Sequence, residues 1–417
     1  MKKQFLLLVL SLCTLNVFSQ ADTIQHIIAG RKNSSGQQKK SYVIMISADG
    51  FRYDYAKKYK AEHLQQLAQS GVEAASMIPS YPSVTFPNHY TLVTGLYPAH
   101  HGLVQNDFYD RKTQSFYNYK GKMALDPKWY GGLPLWVRAE QQHMLTASFY
   151  WVASEVPIAG IKPTYYYAYN EKIGIHERIQ AVINWLKLPA EKRPHLITLY
   201  FPQVDHAGHY YGPDAPETEK EVHFVDSAVN ELNKAVKATG LPVNFVFVSD
   251  HGMTKINAEK AIPKPAYDTT KFILSGDGLL LELYAKNKAY INETYQQLKS
   301  VQDNYKVYLR TNMPAYRHYG EKDDWHDRIG DILLVPTWPY VFKLSERKVN
   351  PGAHGFDPYL VREMHATFYA WGPAFKQHLQ VASFPNVDVF PMVTKILGIT
   401  YADKVDGTSE LAQKILK

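Results

Sequence analysis

Cysteine is nearly missing from this chain of 417 residues, which has only Cys13. That residue lies in an N-terminal stretch that reads as a removable leader. The remaining chain therefore excludes a disulfide framework, a thiolate metal centre and a cysteine nucleophile. Long apolar runs are missing too, because no segment after the N-terminus is apolar enough to cross a bilayer. Charge of one sign never accumulates in blocks. The 46 Lys and Arg against 39 Asp and Glu, a formal +7, are scattered. Without a basic stripe to track a phosphate backbone, a stable nucleic-acid complex is not expected. Repeats and low-complexity tracts are also absent, which excludes solenoids and arrays.

The opening "MKKQFLLLVLSLCTLNVFSQA" has two lysines, a short apolar run and small residues near Ser19, the pattern of a secretory signal over residues 1–20. A membrane anchor is the alternative, and Ser11, Thr14 and Asn16 within the run argue against it. Lipidation of Cys13 is opposed by the bulk of Leu12 before it. The mature protein is expected to be exported, periplasmic or secreted, with no transmembrane segment. Losing Lys2 and Lys3 takes the formal charge from +7 to +5 (7 − 2), which suits an anionic substrate without specifying one. Residues 21–40 contain "GRKNSSGQQKK" and read as a polar linker. Asn33 and Asn292 occupy Asn-x-Ser/Thr triplets.

Three later runs share one design. "SYVIMISADG" ends at Asp49, "HLITLYFPQVD" at Asp205 and "LPVNFVFVSDHG" at Asp250 and His251. Continuous Val, Ile, Phe and Tyr without clean alternation predict strands buried on both faces of a parallel sheet. Amphipathic stretches between them, Glu177–Leu188 and Glu219–Gly240, predict helices. Together they predict an α/β fold with a doubly wound, mainly parallel sheet flanked by helices, whose ligands bind at the carboxyl ends of the strands. One terminal Asp is commonly a helix cap. Three at one edge would repel one another, and a bound cation relieves that. "DHAGH" brings His209 beside Asp205, and "NPGAHGFDP" places His354 in a Gly-rich loop. Carboxylates and imidazoles without thiolate suit zinc, with manganese or iron as alternatives. Thr85, in "PSVTFPNHYTLVTGLYPAHHG", raises the question of a nucleophile, since a threonine hydroxyl is inert without a base or a metal beside it.

The segments "SADGFRYDY", "PSYPSVTFPNHYTLVTGLYPAHHG", "VQNDFYD", "DHAGHYYGP", "SDHGM" and "GAHGF" together resemble the nucleotide pyrophosphatase/phosphodiesterase family of the alkaline phosphatase superfamily. The resemblance runs from about residue 43 to residue 392. It implies an alkaline phosphatase-like fold and two zinc ions per chain. Asp205, His209 and His354 would hold one ion; Asp49, Asp250 and His251 would hold the other, with Thr85 bridging to it. Thr85 would attack a phosphodiester in line to give a phosphothreonine, which hydroxide hydrolyses from the opposite side. Asn106 would donate to a phosphate oxygen. Phe86 and Tyr169 would form stacking walls for a base, with Trp151 a further candidate. His89, His101 and His206 are expected to be structural.

A catalytic domain over 41–417 is expected, with a cap insertion over about 106–162, a less regular segment over about 255–347 and a closing helix within 384–399. The disulfide-rich extra domains of animal relatives have no counterpart, so the resemblance is to a catalytic domain alone. The implied function is hydrolysis of small-molecule nucleotide phosphodiesters or pyrophosphates to nucleoside 5′-monophosphates. Alternatives are a phospholipid or choline-ester phosphodiesterase, a phosphomonoesterase, or a metal-stabilised binding protein without turnover. Against the last, all the nucleophile and metal positions are filled. Sulfatase chemistry needs a modified Cys or Ser in its own motif, and no Cys remains after the leader.

Overall fold

Side chains of the strand Tyr42–Ala48 alternate between two hydrophobic cores. Val43 and Met45 enter one; Tyr42, Ile44, Ile46 and Ala48 enter the other. A strand sends successive side chains to opposite faces, so a run that is apolar at nearly every position must be covered on both sides. The strand Val243–Val248 divides in the same way, with Val246 and Val248 in the first core and Val243, Phe245 and Phe247 in the second. Each such side chain contributes about 1.5–3 kcal/mol on burial, which commits helices to both faces.

The computed structural model describes residues 22–417, so the expected signal over 1–20 and Cys13 lie outside the described residues. The main sheet comprises β1 (Gln25–Ile27), β2 (Tyr42–Ala48), β3 (Val72–Ala74), β4 (Thr146–Phe149), β5 (Tyr165–Tyr167), β6 (Leu196–Phe201), β7 (Val243–Val248), β8 (Phe368–Trp371) and β9 (Leu379–Val381). Their spatial order is β1-β5-β4-β6-β2-β7-β8-β3-β9. The five central strands, β5 to β7, run parallel; β1 and β8 run antiparallel to their neighbours. Helices Thr85–Thr94 and Val389–Leu397 cover one face, and Ile175–Leu186 and Pro216–Lys237 cover the other. The expected doubly wound α/β architecture is therefore present, and the closing helix is Val389–Leu397.

Three expected boundaries change. Residues 22–40 are not a free linker, because β1 pairs with β5 and Asn33 is built into the fold. Asn33 is buried; its amide donates to the Ala190 and Arg193 carbonyls, and its oxygen accepts from the Leu145 N–H. Its glycosylation triplet is therefore closed to modification, whereas Asn292 is exposed. Polar composition hid this segment, since an edge strand and a hydrogen-bonded Asn need little apolar surface.

The cap is shorter than 106–162. A hairpin, Asp107–Asp110 with Ser115–Asn118, and short 3-10 turns to Trp129 form it, while Thr146–Phe149 is a strand of the main sheet. The segment 255–347 is also more regular than expected. Four antiparallel strands, in the order Phe272–Asp277, Leu280–Ala285, Ile332–Pro336 and Tyr305–Leu309, pack with helix Ile291–Ser300 around a small core of their own. Among the described residues, no helix is long and apolar enough to cross a membrane.

Candidate active site

The carboxyl ends of β2, β6 and β7 deliver the three aspartates to one place. Asp49 follows β2 directly, Asp250 stands two residues past β7, and Asp205 lies in the first turn of helix Gln203–Tyr211 beyond β6. Gly50 permits the approach: it has φ +66°, and a Cβ there would stand 2.9 Å from Asp205 Cα. Only glycine takes that backbone geometry without strain. His209 sits one helical turn after Asp205, so both side chains point the same way.

Two donor sets result. Asp49, Asp250 and His251 form one, with His251 Nε2 at 3.4 Å from Asp49 Oδ1 and 3.0 Å from Asp250 Oδ2. Around Asp205 Oδ1 stand His209 Nε2 and His354 Nε2, each at 3.5 Å. The tightest grouping joins Asp205 and His354 with His251 rather than His209. The His251 and His354 rings stack at 3.5 Å, so His251 stands between the sets, and His209 closes the second from the cleft side.

Asp49 Oδ1, Asp205 Oδ1 and Asp250 Oδ2 are buried without a hydrogen-bond partner. Leaving a buried acceptor unpaired is costly, and for a carboxylate more so. Three such oxygens converging with three imidazoles fit cations, and the oxygen and nitrogen donors fit zinc. The remaining atoms are held from outside. Tyr200 donates to Asp49 Oδ2 at 2.6 Å, His209 Nδ1 meets the Gly352 carbonyl at 2.9 Å, and His354 Nδ1 meets the Ser83 carbonyl at 3.0 Å. Carbonyl acceptors on Nδ1 leave Nε2 free as the ligand atom.

Charge perturbation follows the same geometry. Burial pushes the Asp49 carboxyl well up, and the neighbouring Asp250 and Asp205 add to it. Burial would also raise Asp250, but His251 and His89 outweigh it and hold that carboxyl well below its usual range. Burial, with His251 and His209 nearby, keeps His354 neutral. A neutral imidazole is the form that binds a metal.

Thr85 begins helix Thr85–Thr94, and its Oγ1 lies 3.1 Å from His251 Nε2. The Phe86 N–H donates to Asn106 Oδ1 at 3.0 Å, and Pro87 has no N–H to satisfy. That bond fixes the Asn106 amide with its NH2 left over as a donor. Thr85, Phe86 and Asn106 line a cleft of about 1420 Å³ together with Asp49, Asp205, His209, His354 and Tyr169. Tyr169 is half exposed; its N–H donates to Glu155 and its hydroxyl to Glu171. Trp151 lines the same cleft from a buried position. Its ring is edge-on to His89 and its Nε1 donates to the His89 carbonyl at 3.2 Å. It braces helix Thr85–Thr94 through His89 and also contributes to the wall of the cleft.

His101 and His206 take no part in the donor sets: the first is buried against Thr91 and Pro87, the second is exposed. His89 is closer to the chemistry than its sequence context signals, bridging Ser47 Oγ and the Thr85 carbonyl. Tyr200 was hidden as one more apolar strand residue.

A family model described as type I phosphodiesterase/nucleotide pyrophosphatase matches residues 43–357. The chain is 34% identical over 390 residues to ectonucleotide pyrophosphatase/phosphodiesterase family member 1 of Rattus norvegicus, covering 90% of this chain and 42% of that protein. It thus spans less than half the length of that relative. An uncharacterised pyrophosphatase/phosphodiesterase of Schizosaccharomyces pombe is 34% identical, covering 96% of this chain and 86% of its own length. Murine ectonucleotide pyrophosphatase/phosphodiesterase 5 superposes with a TM-score of 0.83 at 29% identity, covering 90% of this chain and all of that one. The same murine protein has been solved as an inactive threonine-to-alanine variant in complex with AMP.

Proposed function

This chain belongs to the type I phosphodiesterase/nucleotide pyrophosphatase family, and from that premise we propose that it is an exported two-zinc phosphodiesterase that releases nucleoside 5′-monophosphates from nucleotide diesters or pyrophosphates. Asp205, His209 and His354 would hold one ion, and Asp49, Asp250 and His251 the other, beside Thr85. Ions in those sets would acidify the threonine hydroxyl and stabilise the entering and leaving oxygens of an in-line displacement.

The chain's own groups do the rest. Thr85 Oγ1 bonds to phosphorus as the bond to the leaving oxygen breaks, giving a phosphothreonine that water then hydrolyses. The helix beginning at Thr85 directs its positive dipole end at the phosphate. The free amide N–H of Asn106 donates to a phosphate oxygen as charge develops there. Phe86 and the half-exposed Tyr169 offer aromatic faces to the base, and Glu155 and Glu171 fix where Tyr169 stands.

One observation carries this reading: three buried, unpartnered carboxylate oxygens converge beside a threonine hydroxyl at a helix N-terminus. Export fits the leader-like N-terminus and relatives that include a venom phosphodiesterase of Crotalus adamanteus. The test is product analysis on ATP, a dinucleotide, a p-nitrophenyl nucleotide diester, lysophosphatidylcholine and a simple monoester. Release of nucleoside 5′-monophosphate is expected. Turnover confined to the lipid or the monoester would overturn the nucleotide assignment.

A further inference from the structure

Beyond the metal ligands, the same cleft is lined by Tyr210 and Tyr211, which directly follow His209 at the end of helix Gln203–Tyr211. They are 67% and 50% exposed, and their rings stand 4.8 Å apart at 74°. Neither belongs to a core cluster, so core packing does not account for two consecutive exposed rings at the cleft. Their backbone is nonetheless fixed. A Cβ on Gly352 would meet the Gly208 carbonyl at 2.0 Å, and the Gly212 N–H donates to that same carbonyl at 3.0 Å. With His209 Nδ1 held by the Gly352 carbonyl, the helix end is anchored while its two rings face solvent.

Their side of the site gives them a role. Thr85 Oγ1 contacts His251, of the set that includes Asp49 and Asp250. In-line displacement sends the leaving oxygen away from the attacking hydroxyl. On the proposed reading that direction leads toward the Asp205, His209 and His354 set, and Tyr210 directly follows His209 in the chain.

We propose that Tyr210 and Tyr211 form a stacking subsite for a second nucleobase, carried on the leaving group, which makes two-base phosphodiesters and pyrophosphates favoured substrates. The proposal rests on the reaction given above. The Thr85 hydroxyl gives up its proton to solvent as the Oγ1–phosphorus bond forms, the bond to the second nucleoside or nucleotide breaks, and that leaving oxygen takes a proton from solvent. Aromatic faces accept any base, so the subsite would select for a base and against a bare pyrophosphate.

The test compares kcat/KM of the metal-loaded enzyme on diadenosine triphosphate, a 3′,5′-dinucleoside monophosphate and ATP, whose leaving group has no base. Tyr210→Ala and Tyr211→Ala should lower the two-base to ATP ratio by roughly five-fold or more, the loss of one stack. Tyr210→Phe and Tyr211→Phe should restore it. A ratio unmoved by both alanine variants, or Phe variants that fall as far, would overturn the subsite while nucleotide turnover stands. No nucleotide turnover by the unmutated enzyme would overturn the proposed function and the subsite together.

Discussion

Replacing Asn106 by Asp separates the observed structural role of this side chain from its proposed role as a phosphate donor. Asn106 Oδ1 accepts from the Phe86 N–H at 3.0 Å, and a carboxylate oxygen can do the same. Helix Thr85–Thr94 should therefore keep its start, and Thr85 its place 3.1 Å from His251. What Asp removes is the amide NH2, and what it adds is a negative charge facing a phosphate. A preorganised donor aimed at developing charge is worth about 2.7–4 kcal/mol, or roughly 10²- to 10³-fold in kcat. Asn106 is only half-buried, so solvent weakens the donor and places its share near the lower bound, about 10²-fold. Like-charge repulsion adds to that loss. Asn106→Ala should differ: it also strands the Phe86 N–H, at about 1 kcal/mol of stability. The assay is kcat on a p-nitrophenyl nucleotide diester, with thermal unfolding measured alongside. An Asp variant that unfolds like the parent yet retains more than about a third of its kcat would show that Asn106 only holds the helix, and the donor role would be wrong.

Thr85→Ala should fold, bind metal and lose nearly all turnover, whereas Thr85→Ser keeps a measurable rate; near-normal kcat in the alanine variant would point to direct attack by water. Chelation should abolish activity and lower the unfolding temperature, because ions bound only to the folded state stabilise it by about 4 kcal/mol per site at a thousand times Kd; active protein without transition metal in elemental analysis would refute this. Phe86→Ala and Tyr169→Ala should each lower kcat/KM for a nucleotide diester by about 1–3 kcal/mol, roughly 5- to 150-fold, and scarcely affect a small diester without a base. Equal losses on both diesters would mean that the rings only support the site.

Glu282 should make stability fall with rising pH. It is fully buried and accepts from Tyr284 and Tyr319, and burial raises its carboxyl from 4.5 to about 7 despite those bonds. A carboxyl raised on folding contributes fully below its unfolded pKa, and the contribution is lost as pH climbs through about 7. Glu282→Gln should thus gain up to about 3 kcal/mol relative to the parent between pH 5 and pH 8 in denaturant unfolding. A difference independent of pH would refute that assignment.

The residues by themselves determined the central strands, because side chains apolar at successive positions of Tyr42–Ala48 and Val243–Val248 have no stable home except between two layers. They also determined that Asp49, Asp205 and Asp250 share an edge, since each follows a parallel strand. Polar and short elements were decided elsewhere. β1 is a strand only because β5 offers it an edge, and Asn33 is buried only because three backbone groups meet there. Thr146–Phe149 was legible as chain but not as sheet, since four residues carry too little periodicity to separate a core strand from a cap.

At the site, three aspartates at strand ends with histidines nearby were legible as candidate donors, but the position of His251 between the donor sets was not. Nor were the supports Tyr200 and His89, nor the burial of Trp151. Those depend on which atoms stand a few ångströms apart across gaps of tens to hundreds of residues, and only the packed chain sets such distances. Sequence spacing constrains neighbours within a strand or a helical turn; which carboxylate oxygens are left without partners is a property of the whole fold.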